Sequence, residues 1–383
     1  MEKNGFKNLQ LDLCSSDASM SQSESYELSL SGLKLKKYGI KISKNKVLNE
    51  RTGDTFGGFI EPSDIIIQQQ IGYGHGGSVH LAIHEPSETK LAIKSINIFE
   101  QEKRHQLVNE LNSLEESMLC DNLVQCYGAY YDDGRVRLVL EYMDWGSLRN
   151  FMDKIKQNYP EQIPLLPEHI IGNIAYQIYW GLKYLHKERH HVHRDVKPEN
   201  ILINSEGGVK LTDFGISKQL FETINLCTSF TGTVAYMSPE RMKTDEYSYP
   251  SDIWSLGLII YEFATGHYAY PECKTIIEMR ETMMYMNPPS LPNDGTFSDE
   301  MIDFVDKWLQ IDVKDRLSTN HENHPWIERY ANIDNDLQEW LIQLYQGTET
   351  TSTMSWEHED TSHNRVSEAD IENLGLTDLI GLK

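Results

Sequence analysis

The sequence predicts an α+β protein of two lobes, a small antiparallel sheet with one helix followed by a larger, mainly helical part. Three observations carry this. Short strand-like runs crowd residues 65–142, a long apolar stripe at helical spacing begins after Gly146, and Ile253 to Ala264 is apolar on nearly every side.

Met1 to about Pro62 is rich in Ser, Lys, Asn and Gly without sustained periodicity, a composition that cannot offset its ordering entropy by burial. Residues 1–62 are therefore expected to be a mostly disordered tail. From Ile65 the texture changes to strand runs at Ile65 to Ile71, at Val79, Leu81 and Ile83 among polar neighbours, and at Leu91 to Ile96. Lys103 to Glu116 follows as a charged helical stretch with Leu107, Leu111 and Leu114 on one stripe. Two more strands, Val124 to Tyr131 and Val136 to Tyr142, complete a small lobe over 63–143. In the larger lobe, 144–330, Ile171, Ile174, Ala175, Ile178, Leu182 and Leu185 recur at helical spacing, and Ile253 to Ala264 reads as a helix buried inside the lobe. Leu337, Trp340, Leu341, Leu344 and Tyr345 give one further helix over 331–346. Residues 347–383 carry eight carboxylates against Arg365 and Lys383, a net of −6, and are expected to be a flexible acidic tail.

The chain has 383 residues, enough for a real core, so a disulfide-stapled miniature is excluded. Its formal charge of −23 opposes binding to nucleic acid or to an acidic membrane face, so any phosphate site must be local. Five Cys with no C-x-x-C pair suit free thiols in a reducing compartment. The first twenty residues offer no apolar run for a secretion machine, and Leu256 to Ala264, interrupted by Glu262, is too short for a membrane helix. The expected location is cytoplasmic, with access to the nucleus open.

Gly72-Tyr73-Gly74-His75-Gly76-Gly77-Ser78-Val79 fits G-x-G-x-x-G-x-V between two strands, where positions without side chains let backbone N–H groups approach a phosphate chain. Alone it is an ordinary Gly-rich hairpin as readily as a nucleotide loop. Ala92-Ile93-Lys94 changes the balance: Lys94 lies 15 residues after Val79, and period two puts it on one face with Ala92. His193-Arg194-Asp195-Val196-Lys197-Pro198-Glu199-Asn200 follows the long helix, and Asp213-Phe214-Gly215 follows a further short hairpin. A carboxylate to receive a hydroxyl proton, a Lys near the transferred group, and an Asn with an Asp to hold metal are what phosphoryl transfer needs. Separate solvated charges would have to coincide across four motifs in the right order.

On these motifs the sequence resembles the eukaryotic protein kinases over roughly 63–330. The resemblance implies the two-lobed kinase fold with ATP and Mg²⁺ in the cleft. It implies Asp195 as catalytic base, Lys197 at the γ-phosphate, Asn200 and Asp213 on Mg²⁺, and Lys94 on the nucleotide's phosphates and paired with Glu110. Leu140 would be the gatekeeper, with the backbone of Glu141 and Met143 meeting adenine. Ile71, Gly72, Gly74, Gly77, Val79, Ala92 and Leu202 complete the nucleotide set. Gly232-Thr233-Val234-Ala235-Tyr236-Met237-Ser238-Pro239-Glu240-Arg241, with Ser-Pro-Glu where most kinases carry Ala-Pro-Glu, is similar to the mitogen-activated protein kinase kinases. Glu240 would then pair with Arg316. Lys218, Trp145 and Thr212 depart from residues common in that family.

That family implies transfer of phosphate to Thr and Tyr of a downstream mitogen-activated protein kinase and activation by an upstream mitogen-activated protein kinase kinase kinase. Thr223 and Ser229 are six apart and resemble the plant-type activation pair, with Thr228 and Thr231 as competitors. One charge-assisted hydrogen bond gives about 1.5–3 kcal/mol, whereas a full population switch needs about 5.5, which favours two phosphates over one. Lys34-Leu35-Lys36-Lys37-Tyr38-Gly39-Ile40-Lys41-Ile42 resembles the family's docking peptide for its substrate, against the plainer reading of a solvated tail. The Leu337 to Tyr345 helix resembles the family's docking helix for upstream kinases, against the plainer and preferred reading that it packs on the large lobe. Two other readings stand beside this one: a kinase of a neighbouring serine/threonine group, and a catalytically weak scaffold, which would need a missing Lys94, Asp195, Asn200 or Asp213.

Overall fold

The computed structural model describes five short strands between residues 26 and 56, then 61–97 without 75–76, 120–213 without 133–134 and 160–163, and most of 234–349. The small lobe is built on a five-stranded antiparallel sheet of β6 (Ile65–Gly74), β7 (Gly77–His84), β8 (Thr89–Asn97), β9 (Cys126–Asp132) and β10 (Arg135–Glu141), in the order β6-β7-β8-β10-β9. Register decides what each face carries. Val79 lies opposite Lys94 and Lys94 opposite Leu138, while Leu81, Ala92 and Leu140 form the next row, so these six share one face. The other face holds the apolar cluster of Ala82, Leu91, Ile93, Tyr130 and Val139, with Ile65 against it. The helix expected over Lys103 to Glu116 lies outside the described residues.

Within the stretch expected as an N-terminal tail, the described residues form a second antiparallel sheet in simple sequence order: β1 (Tyr26–Ser29), β2 (Gly32–Leu35), β3 (Ile40–Ser43), β4 (Val47–Asn49) and β5 (Thr55–Phe56). The register sets Leu28 opposite Leu33, Leu33 opposite Ile42, Ile42 opposite Val47 and Val47 opposite Phe56, an apolar row running across all five strands. Each strand is at most four residues long, too short for period two to show along the chain. The pattern exists only across strands. Ile42 is fully buried, and β2 to β4 lie against β9, the edge strand of the main sheet. The described parts of the candidate docking stretch 33–42 thus belong to β2 and β3, which pair antiparallel.

The large lobe is organised by α1 (Leu148–Asn158), α2 (Glu168–Lys187), α3 (Pro239–Thr244), α4 (Tyr249–Thr265), α5 (Ile276–Tyr285), α6 (Asp299–Trp308), α7 (Pro325–Glu328) and α8 (Asp336–Glu349). All six residues of the predicted α2 stripe are buried. Helix α4 is surrounded as its all-round apolarity requires, with Trp254 and Phe263 in the core. A capping box of Ser248 and Ser251 starts it, and Gly266 ends it at φ 72°, its N–H donating to the Glu262 carbonyl. The small sheet β11 (Gly146–Ser147), β12 (Ile201–Ile203) and β13 (Val209–Leu211) carries the chain past the cleft. Leu337 and Leu341 of α8 are buried on this lobe and Trp340 meets Phe151 edge-on at 6.0 Å, the packing expected from the sequence. Among the described residues no helix is long and apolar enough to cross a membrane.

Candidate active site

Two short polar stretches face the main sheet's functional side. Lys94, 4% exposed, projects from β8 and its Nζ lies 2.6 Å from Asp213 Oδ1, although 119 residues separate them in sequence. Beside it the glycine hairpin folds back with Gly72 opposite Val79 and Gly74 opposite Gly77. Gly77 sits at φ 116°, and a Cβ there would fall 2.1 Å from the Ser95 carbonyl oxygen. Only glycine brings the backbone that close to the strand, the open cradle a phosphate chain requires.

The loop after α2 carries Asp195. Its Oδ2 accepts from Lys197 Nζ at 2.8 Å and from Asn200 Nδ2 at 2.8 Å, and its carbonyl accepts from the same Asn200 amide at 2.9 Å. One carboxylate oxygen is thus held by two donors. The loop hangs from a group the sequence reading gave no role. Asp252, buried at the start of α4, accepts from the backbone N–H of His193 at 2.8 Å, from that of Arg194 at 3.0 Å, and from His186 Nε2 at 2.8 Å. Burial would raise its pKa, but the His186 hydrogen bond and the surrounding donors outweigh this and hold the carboxyl below its usual range.

His193 ties this loop to the strand that leads to Asp213. Its Nδ1 accepts from the Asp195 N–H at 3.3 Å, so the proton resides on Nε2, which donates to the Thr212 carbonyl at 3.1 Å. Complete burial lowers its pKa and keeps the ring neutral. The Thr212 N–H in turn donates to the Asn200 carbonyl at 3.0 Å. Arg194 and Asp213 sit at φ 76° and 60°, two of only four such non-glycine residues among those described, which marks local strain of about 1–3 kcal/mol each held by this network.

The donor set fits a hard divalent cation. Asn200 directs its amide N–H groups at Asp195, which leaves its Oδ1 for a metal. Burial opposes ionisation of Asp213, but the Lys94 ammonium outweighs it and holds the carboxyl below the ordinary range, so it is an anion at neutral pH. Two protein oxygens are few, as suits Mg²⁺, which takes the rest of its shell from phosphates and water. No three His, Cys, Asp or Glu residues cluster as metal ligands among the described residues. His186, His190, His191 and His193 lie close in sequence, as zinc ligands can, but His186 bonds Asp252 and Thr319, and His193 bonds as above.

Residues 65–327 match the protein kinase domain family. The chain is 41% identical over 275 residues to mitogen-activated protein kinase kinase SIPKK of Nicotiana tabacum, covering 70% of this chain and 74% of that protein. The chain belongs to the mitogen-activated protein kinase kinases. It is also 39% identical over 282 residues to mitogen-activated protein kinase kinase 3 of Arabidopsis thaliana, 73% of this chain but 52% of the relative. To protein kinase wis1 of Schizosaccharomyces pombe it is 36% identical over 311 residues, 78% of this chain and 49% of that protein. The family uses ATP and a divalent metal.

The residues expected to line the nucleotide are placed as follows. Val79, Ala92, Lys94 and Leu140 share the functional face, and Leu202 alternates with buried Ile201 and Ile203 on β12. Ile71 and Gly72 lie in β6 at the entrance to the glycine hairpin. After Leu140 the connection is held by its own bonds. The Glu141 carboxylate accepts from Lys210 at 2.7 and 2.8 Å and from the Gln125 N–H at 3.2 Å, the Glu141 N–H donates to the Gln125 carbonyl at 2.9 Å, and the Met143 carbonyl accepts from the Gly146 N–H at 3.1 Å. Glu240 and Arg316 form the expected pair at 2.8 and 3.0 Å. Glu110, Thr223, Thr228, Ser229 and Thr231 lie outside the described residues. Two residues without an assigned role in the sequence stand in the site's support: Asp252, which opens the family-like stretch Asp252-Ile253-Trp254-Ser255-Leu256-Gly257, and Arg149, which follows Gly146-Ser147-Leu148.

Proposed function

We propose that this protein transfers the γ-phosphate of Mg-ATP to Thr and Tyr in the activation loop of a downstream mitogen-activated protein kinase, and is itself switched on by an upstream kinase. The observation that carries the proposal is the meeting of Lys94 with Asp213 at 2.6 Å while Asp195 is held by both Lys197 and Asn200 at 2.8 Å. Lys94 and the glycine hairpin would hold the phosphates, and Asn200 Oδ1 and Asp213 would hold Mg²⁺, which supplies charge neutralisation at the transferred group. Asp195 Oδ1 would take the hydroxyl proton. Lys197, already on the other oxygen, would stabilise the charge that gathers on the moving phosphoryl group.

Phosphates on Thr223 and Ser229 are proposed to order the segment before Glu240 against Arg194, which directly precedes the base. Capture of the substrate kinase by 33–42 belongs to the same proposal, and because Ile42 is buried it must be uncovered for the Ile-x-Ile end to be used. One assay tests these parts together. The activated protein is given Mg-ATP and a catalytically dead mitogen-activated protein kinase, with casein as the generic acceptor, and the sites are mapped by mass spectrometry. Phosphate is expected on both Thr and Tyr of the loop, with casein poorly used. Ser229→Ala should resist activation, and replacing Lys34, Lys36, Lys37 and Lys41 with Ala should raise KM for the kinase acceptor several-fold. Phosphate on casein alone would point to the neighbouring serine/threonine group. Full activation of Ser229→Ala would remove the phosphosite assignment, and an unchanged KM the docking role.

A further inference from the structure

Arg149, in the first turn of α1, reaches across to the acceptor side of the catalytic loop. Its Nε lies 3.0 Å from Glu199 Oε1, its Nη1 lies 3.0 Å from Glu262 Oε1, and its Nη2 donates to the Tyr236 hydroxyl. Tyr236 OH in turn donates to Glu262 Oε2 at 2.5 Å, and Lys156 Nζ stands 3.4 Å from Glu262 Oε1. Four separate parts of the large lobe meet here: α1, the catalytic loop, the turn before Ser238, and α4. Glu262 has a side chain only 4% exposed, whereas that of Glu199 is 41% exposed.

Glu199 is four residues past Asp195 and is the one exposed residue of 193–200, since its neighbours Pro198 and Asn200 are buried. It is thus the residue of this loop open to a polypeptide that brings a hydroxyl to Asp195, four residues away. Two carboxylates at that place, in a chain of net charge −23, form a binding point for a basic side chain of such a polypeptide. The point is already filled from within. Burial works against the Arg149 cation, but Tyr236, Glu262 and Glu199 outweigh it and raise its pKa further, so it stays charged at any working pH. Burial, reinforced by the Glu262 carboxylate, raises the Tyr236 hydroxyl and keeps it a donor.

We propose that Arg149 sets acceptor specificity: its guanidinium occupies the Glu199–Glu262 carboxylate pair and so excludes acceptors that carry Arg or Lys within a few residues of the phosphorylated hydroxyl. The inference rests on the kinase reading above and extends it from the reaction to the charge of the substrate's flank. Discrimination of this kind comes from a repulsive element, a resident cation, as much as from any attractive one. The fork geometry matters as well, because three donor directions meet three acceptors on different elements.

The test is competition. The activated full chain phosphorylates a catalytically dead mitogen-activated protein kinase in the presence of a nonapeptide of alternating Arg and Ala, which has no hydroxyl to accept phosphate. Arg149→Ala should be inhibited at a peptide concentration at least about tenfold lower than wild type, competitively with the protein acceptor and not with ATP. Arg149→Gln, which keeps an amide donor for Glu262 and carries the comparison should Arg149→Ala unfold, should behave the same way, and Arg149→Lys should stay near wild type. Adding Glu199→Gln to either neutral variant should return the inhibition towards the wild-type value. Folded, active Arg149→Gln protein with unchanged sensitivity to the peptide would overturn the proposal. Wild-type protein that transfers phosphate to no acceptor at all would instead overturn the kinase reading beneath it.

Discussion

Asp195→Asn is expected to lower kcat for phosphotransfer to a protein acceptor by about 10²- to 10⁴-fold, the span a positioned general base contributes. The replacement keeps the shape of the side chain. An amide oxygen can still accept from Lys197 or Asn200, which now hold Oδ2 at 2.8 Å, so the loop retains its anchors. What is lost is the oxygen that can take a proton at neutral pH. Nucleotide affinity should change little, because the phosphates are assigned to Lys94, the glycine hairpin and the Asn200 and Asp213 pair. Steady-state kinetics with ATP and acceptor varied separately checks this: a fall confined to kcat supports the assignment, and turnover near wild type contradicts it.

The second large effect is on stability. Arg316 has no exposed side-chain surface, binds both Glu240 oxygens, donates from Nε to the Gln310 carbonyl at 2.9 Å and from Nη1 to the Pro250 carbonyl at 3.0 Å, and lies 4.9 Å over the Trp254 ring. Removing one partner of a buried pair costs about 3–5 kcal/mol, because the remaining charge is left without compensation. Arg316→Met should therefore lower Tm by roughly 6–20 °C, at about 2–4 °C per kcal/mol for a domain of this size. Burial would raise the Glu240 pKa, but the Arg316 bonds outweigh it and depress it in the folded state. Stability from this pair is accordingly present above the unfolded carboxylate pKa of about 4.3 and lost as pH falls through the lower folded value. Thermal unfolding of both proteins should show the wild-type advantage shrinking below that pH. Equal melting temperatures at neutral pH would show that the pair is not structural.

Much of the site is legible in the sequence because phosphoryl transfer demands several fixed charges at once, and each is carried by a short motif. Lys94 is announced by its spacing from the glycine hairpin, and Asp195, Lys197 and Asn200 by a single stretch of eight residues. The strands of the small lobe are long enough for alternation to reveal their faces, and α2 and α4 long enough for their stripes. Other features have no local signature. Asp252 holds the backbone of His193 across 59 residues, and Arg149 reaches Glu262 across 113, so neither can be read from neighbours in sequence. The sheet of β1 to β5 is hidden for a related reason. Its apolar row, Leu28, Leu33, Ile42, Val47 and Phe56, takes one residue from each strand and is visible only once the pairing is known.

That arrangement also explains how a strongly acidic chain accommodates a triphosphate. The local positive charge comes from Lys94 and Lys197 and would be completed by a bound metal, while the net charge of −23 opposes binding of polyanions elsewhere. The convergence of Lys94, Asn200 and Asp213 is the claim on which the kinase mechanism stands, and calorimetric titration of the intact protein with ATP, in Mg²⁺ and in excess chelator, tests it most directly. Binding is expected to be clearly tighter with Mg²⁺ for the wild type, and Asp213→Asn should lose most of that difference. Equal binding with and without the metal, or an Asp213→Asn protein that keeps the full dependence, would contradict it.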